Sequence, residues 1–321
     1  MPSRMVILAL GVVAGLIAAA LAIAGWPSSG EAGIGRWHPS PTDRWQYQLE
    51  SSNRQLASSG GIDVSICERP RSGGHCVRPA VFDIDLYVDG QVSGNDHTVD
   101  GAAVRAIHAR GARAVCYMSA GTAERFRPDY SRYVAFDRHH GHSLMGKPFS
   151  ARFPNEYWLN LSNARGQRDF VLGRVEARTK KCARAGFDGV EYDVVDAYAQ
   201  GHEVTGWHVT ARQQLVFDRA LASIAHRNGL SVGLKNDLGQ VPKLEPRFDF
   251  AINEQCFQYR ECTNNPAPGY KAFTRAGKAV FQVEYQIPRS RFCGQAASLG
   301  ISSIKKAADF SLNAEPWKPC R

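Results

Sequence analysis

Short apolar segments alternate with amphipathic stretches of helical length, and this rhythm constrains the chain more than any other feature. The apolar segments are Trp45–Leu49, Val81–Val88, Ala112–Ala120, Tyr157–Leu161, Gly189–Val195, Ser231–Asp237, Asp249–Phe257, Ala279–Tyr285 and Gly300–Ile304. They are apolar almost throughout, as expected of strands covered on both faces. Between them, Asp100–Arg110 sets Val104 and Ile107 on one face and stops at Gly111. Phe170–Ala185 carries Val171, Val175 and Cys182 and stops at Gly186. Thr210 and Gln213 have capping-box spacing and open a helix with Leu215, Leu221 and Ile224 that ends at Gly229. Strands alternating with helices imply βαβ units and a parallel sheet. The reading is a single (β/α)8 TIM barrel, with one of the nine strand candidates outside it.

Acidic and amide groups recur where these strands end. Asp83 and Asp85 close the second candidate, and Ser119-Ala120-Gly121 with Glu124 follow the third. Asp193 and Asp196 close the fifth, and Lys235-Asn236-Asp237 the sixth. Asn253-Glu254-Gln255 and Glu284-Tyr285 close the seventh and eighth. In such a barrel these ends meet at one mouth, where active sites sit. An acidic mouth stands out in a chain whose 39 Lys and Arg exceed its 30 Asp and Glu. The basic residues are scattered, without a run or motif for nucleic acid, so a basic solvated surface is expected and no nucleic-acid partner.

The N-terminus bears on compartment. Residues 5–26 carry no charge, follow Arg4, and are long enough as a helix to cross a bilayer. They read as a signal peptide cut after Ala22-Ile23-Ala24, or as a retained transmembrane anchor. Either places the rest of the chain secreted or anchored on the extracytoplasmic side. Residues 27–41 read as a Pro- and Gly-rich linker, and 42–321 as the barrel domain, expected to be a monomer. Eight cysteines fit an oxidising compartment. Cys67 and Cys76 bracket a loop that a disulfide could staple; Cys256 and Cys262 are close, as are Cys293 and Cys320. Connectivity is not fixed by spacing. His139, His140 and His142 form the one tempting metal cluster, but they lie in a basic polar loop, and no metal or cofactor is expected.

Two carboxylates facing each other across a cleft can split a glycosidic bond, one protonating the leaving oxygen and the other acting as nucleophile or base. Asp193 and Glu254 are the candidate pair. Glu254 is taken as general acid and Asp193 as nucleophile or base. Asp83, Asp85, Asp196 and Glu284 are candidates to attract a cationic sugar. Trp45, Tyr117, Tyr192, Tyr198 and Tyr285 are candidate stacking surfaces. Lys235 could bond sugar hydroxyls or a catalytic carboxylate, and Asn236 and Asp237 stand beside it. Asp188 reads as structural.

Seven segments occur in order: Trp45–Leu49, VFDIDLY (81–87), CYMSAG (116–121), GFDGVEYDVVDAY (186–198), GLSVGLKND (229–237), FAINEQC (250–256) and VFQVEY (280–285). Together they closely resemble glycoside hydrolase family 114, the endo-α-1,4-polygalactosaminidases. The resemblance implies a (β/α)8 barrel, endo-hydrolysis of α-1,4-linked galactosamine polysaccharide, and Asp193 and Glu254 as the catalytic residues. Departures include Tyr192 and Val194 around the catalytic Asp, Asn160 in WLNL, and an enlarged loop at Ser51–Pro79. Rival readings are a non-catalytic cell-surface sugar-binding barrel and a metal-dependent polysaccharide deacetylase.

Overall fold

The computed structural model describes residues 35–51, 54–69, 73–264 and 269–321. Eight strands form its centre: β1 (Trp45–Gln48), β2 (Val81–Asp85), β3 (Arg113–Ser119), β4 (Gly189–Asp193), β5 (Ser231–Lys235), β6 (Phe250–Glu254), β7 (Val280–Glu284) and β8 (Ser302–Lys305). Each pairs in parallel with the next, in chain order from β1 to β8. Trp45 draws the first and last strands together. Its indole N–H donates to the Ser302 carbonyl at 3.1 Å, and its own carbonyl accepts from the Trp317 indole at 2.8 Å. A short strand, Lys318–Pro319, lies antiparallel on β8. The result is a nearly closed (β/α)8 barrel.

The ninth strand candidate is the one outside. Residues Glu156–Leu159 join an antiparallel sheet with Thr122–Glu124 and Met145–Pro148, inserted between β3 and β4. A short apolar run does not say which sheet it enters.

Three long helices pack outside the barrel: α1 (Gly101–His108), α2 (Gln167–Ala185) and α3 (Ala211–Arg227). Asp100 caps α1 by accepting from the Ala103 N–H at 3.1 Å. Thr210 and Gln213 form both bonds of the capping box at α3. Strand alternation decides which residues meet these helices. On β4, Tyr192 turns outward and its hydroxyl meets Thr179 of α2 at 2.8 Å, whereas Glu191 and Asp193 turn inward.

Disulfides join Cys116 to Cys182, Cys256 to Cys262 and Cys293 to Cys320. The first ties β3 to α2. Cys67 and Cys76, expected to staple their loop, are instead free thiols. The loop is held there by a backbone pair, Glu68 with Val77, at 3.0 and 2.9 Å. The apolar run at 5–26 and the first part of the expected linker, 27–34, lie outside the described residues. Among the described residues no helix is long and apolar enough to cross a membrane.

Candidate active site

Three side chains that end adjacent strands converge at the C-terminal mouth: Asp193 of β4, Lys235 of β5 and Glu254 of β6. The buried Lys235 ammonium lies 3.1 Å from Asp193 Oδ1, 3.3 Å from Glu254 Oε2 and 3.0 Å from Glu191 Oε1. Burial alone would push this ammonium's pKa down, but the three carboxylates outweigh it and hold it well above its usual value. Asp193 Oδ1 also accepts from the Val194 N–H at 2.8 Å, and Oδ2 from the Tyr117 hydroxyl at 2.9 Å. Glu254 Oε1 accepts from the Tyr285 hydroxyl. Burial and the neighbouring carboxylates keep both phenols well above their ordinary range, so they remain donors.

The backbone just beyond these three side chains is strained. Val194, Asn236 and Gln255 follow Asp193, Lys235 and Glu254 directly, and all have positive φ, at 59°, 46° and 63°. For β-branched Val194 this is a rarely occupied region, costing about 1–3 kcal/mol. The surroundings enforce it. Gly121 lies so close beneath that a Cβ there would fall 1.8 Å from the Val194 carbonyl oxygen. The Asn236 side chain accepts from the Glu254 N–H and the Asn253 amide, both at 3.1 Å. It thus sets the height of Glu254 in the mouth.

Below this trio lies a carboxyl pair. Asp83 and Glu191 are fully buried, and neither Asp83 oxygen meets an N–H or O–H donor. Burial first, and then Glu191, push Asp83 well above the carboxylate range; burial also raises Glu191, against the pull of Lys235. A proton on Asp83 would let its carboxyl donate to Glu191 and would remove one of the two buried charges.

Asp193, Glu254, Lys235, Asn236, Tyr117, Tyr285, Asp85 and Asp196 line a cavity of about 700 Å³. Six expected substrate contacts do not line it, Tyr192 because it faces α2. Trp45 stacks on Phe281 inside the barrel, with ring centroids 5.5 Å apart. Asp83 is occupied by Glu191. Glu284 accepts from the Phe257 N–H at 2.9 Å and the Gln282 amide at 2.8 Å, bracing the turn after β6. Asp237 accepts from the Tyr198 hydroxyl at 2.9 Å, behind the wall. Asp85 does line the cavity, but Arg127 neutralises it at 2.8 Å.

The inserted antiparallel sheet and the loop between its last two strands supply wall residues that the sequence did not single out: Phe149, Arg152, Phe153, Glu156 and Trp158. Reading residues 157–161 as a barrel strand hid them. Of the histidine cluster, His140 stacks on Phe136 at 3.8 Å and His142 meets Asp137 at 2.9 Å. None of the three lines the cavity.

Carboxylates at the open mouth of a (β/α)8 barrel mark the barrel glycoside hydrolases. The chain belongs to one such family: the model of glycoside-hydrolase family GH114 matches residues 28–318. It is similar to Aspergillus fumigatus Ega3, solved in complex with galactosamine, at 27% identity and a TM-score of 0.65. That match covers 87% of this chain and 96% of that one. The fold is also shared with a variant of the PelA glycoside hydrolase domain from Pseudomonas aeruginosa, at 14% identity and a TM-score of 0.50, covering 84% and 96%. An α-galactosidase from Thermus thermophilus shares it at 13% identity and 0.50, covering 86% and 59%. No curated protein matches.

Proposed function

We propose that this chain is an exported, endo-acting hydrolase of α-1,4-linked galactosamine-containing polysaccharide that works with retention of configuration. Asp193 is the nucleophile and Glu254 the acid and base. One observation carries the reading: a single ammonium, Lys235, touches both carboxylates, at 3.1 and 3.3 Å. The two oxygens can be no farther apart than these legs laid end to end. That bound on one oxygen pair favours the ~5–5.5 Å carboxyl separation of a retaining enzyme over the wider ~6.5–9.5 Å of an inverting one.

In the first step Asp193 bonds to the anomeric carbon while the glycosidic C–O bond breaks, and Glu254 gives its proton to the leaving oxygen. In the second, Glu254 takes a proton from water, whose oxygen displaces Asp193. Lys235 balances the two acids, and Tyr117 and Tyr285 fix their rotation. GH114 membership and the likeness to a relative holding galactosamine support the substrate class. The uncharged run at 5–26 and the three disulfides support export.

The test is the anomer first released from partly deacetylated α-1,4-galactosamine polymer, followed by proton NMR, with chitosan as control. Shortened oligomers from the first polymer alone, α-configured at the start, are expected. A β-configured first product sinks the nucleophile assignment; no cleavage sinks the substrate.

A further inference from the structure

The wall of the cavity carries nine carboxylates, and most already have partners. Asp85 pairs with Arg127; Glu124 lies 3.0 Å from Arg127 and 3.3 Å from Arg178. Asp193 and Glu254 share Lys235. Asp89 and Asp96 accept backbone N–H groups, from Gln91 and Gly90 at 2.7 Å each. Asp196 accepts from the Gln200 amide at 3.0 Å. Glu50 and Glu156 are left without an ion pair among the described residues, and of the two Glu156 is the one close enough to feel Asp193. No cation lies within ion-pair distance of it among the described residues, and its carboxylate accepts only a long 3.4 Å contact from the Thr122 hydroxyl. Thr122 in turn meets Ser119 at 2.5 Å, and Ser119 stands in register with Asp193. Glu156 therefore sits beside the nucleophile with spare acceptor capacity.

We propose that Glu156 is the specificity-determining residue that receives the 2-ammonium group of the sugar under attack and so selects deacetylated over N-acetylated units. The inference rests on the substrate reading above. The carbon bearing the amino group adjoins the anomeric carbon that Asp193 attacks, so a carboxylate beside Asp193 is placed to meet that nitrogen. An acetamide offers one neutral N–H and brings an apolar methyl against the acid. An ammonium offers a charge-assisted bond, which is roughly twice as strong.

The protonation state of the empty site agrees. Burial, then Glu124 and Asp193, push Glu156 up to about 8, so near pH 6.5 it carries a proton. Pairing with an ammonium expels that proton. Titration of the wild-type protein with galactosamine at pH 6.5, in buffers of different ionisation enthalpy, should show about one proton released per sugar bound. Glu156→Gln should release markedly fewer.

The second arm is kinetic: kcat/KM on deacetylated and on partly N-acetylated polymer. In Glu156→Gln the preference for the deacetylated polymer should fall about 10- to 100-fold, the loss of one charged pair at a water-poor site. Equal loss on both polymers, or unchanged proton release, overturns the assignment. A wild type that cleaves neither polymer overturns the substrate reading instead, and the proton count still reads Glu156 alone.

Discussion

The two ends of the barrel treat their carboxylates in opposite ways. At the N-terminal rim, Asp188 precedes β4 and Asp249 precedes β6. Asp188 accepts from Arg113 at 2.8 Å and the Ala114 N–H at 2.9 Å, and meets the His108 ring at 2.8 Å. Asp249 meets His226 and the Val232 N–H, both at 2.9 Å. Burial there would raise Asp249, but these partners outweigh it and hold its pKa below the ordinary range. At the C-terminal rim, beyond the acids that Lys235 and Arg127 hold, carboxyls lie near other carboxyls. Asp83, Asp196, Asp237 and Glu156 are all raised, burial first in each case. The strained backbone of Val194, Asn236 and Gln255 lies at this same rim. One rim spends its acids on holding neighbouring strands together. The other keeps unfavourable charges in place, the pattern expected where function rather than folding selects the side chain.

The sharpest break between the rims should come from Asp193→Asn and Glu254→Gln, made separately. Each is expected to lower kcat on galactosamine polymer by ~10³-fold or more. Melting temperature should stay within about 4 °C of wild type, or ~1 kcal/mol, because two carboxylates still hold the Lys235 ammonium in either variant. Calorimetry beside a reducing-end assay reads both quantities. Full activity in either variant removes that residue from the mechanism.

The barrel was legible because its signals are local and repeated. Apolar runs and the Thr210 capping box act within a few residues, and the structure forms the box as read. The ninth run was not assignable, since Tyr157 and Trp158 look like any buried strand until their partners are known. The mouth was legible as a place, because strand-end acids converge in any (β/α)8 barrel. Which acids face the cavity was harder. Glu284 ends its strand just as Asp193 and Glu254 do, yet it braces the Phe257 turn, while Asp83 lies two residues inside β2, against Glu191. Alternation along one strand would have placed Glu191 on the face of Asp193, two residues away. That signal was available. The neutralising Arg127 was not, because it arrives from the segment after the inserted Thr122–Glu124 strand.

At the other rim, Asp249→Asn should leave activity at 25 °C unchanged and cost about 2 kcal/mol of stability, the scale of hydrogen bonds to a charged acceptor. The sign of the pH dependence follows from the lowered folded pKa. The stabilisation is fully present above the unfolded carboxylate value near ~4 and is lost as pH falls through the lower folded value. Denaturation by urea at several pH values should therefore show a gap that is constant from pH 6 to 8 and closes below pH 4. A gap that widens in acid would put Asp249 in the same class as the mouth acids.

The smallest and most discriminating effect belongs to Asp83→Asn. Its folded pKa is raised, so the linkage runs the other way: the protonated form is favoured on folding, and wild-type stability is lost as pH rises above ~4. Asparagine cannot ionise, but it keeps an N–H to give to Glu191 in place of the acid proton. The variant should match wild type near pH 4 and exceed it by about 1 kcal/mol near pH 8, while activity falls less than about 10-fold, since Lys235 still touches Glu191, Asp193 and Glu254. The two aspartates then give urea curves whose pH trends have opposite signs, one from each end of the same barrel. If Asp83→Asn instead loses stability as pH rises, the proton on Asp83 is absent, and the contrast between the two rims reduces to one of geometry.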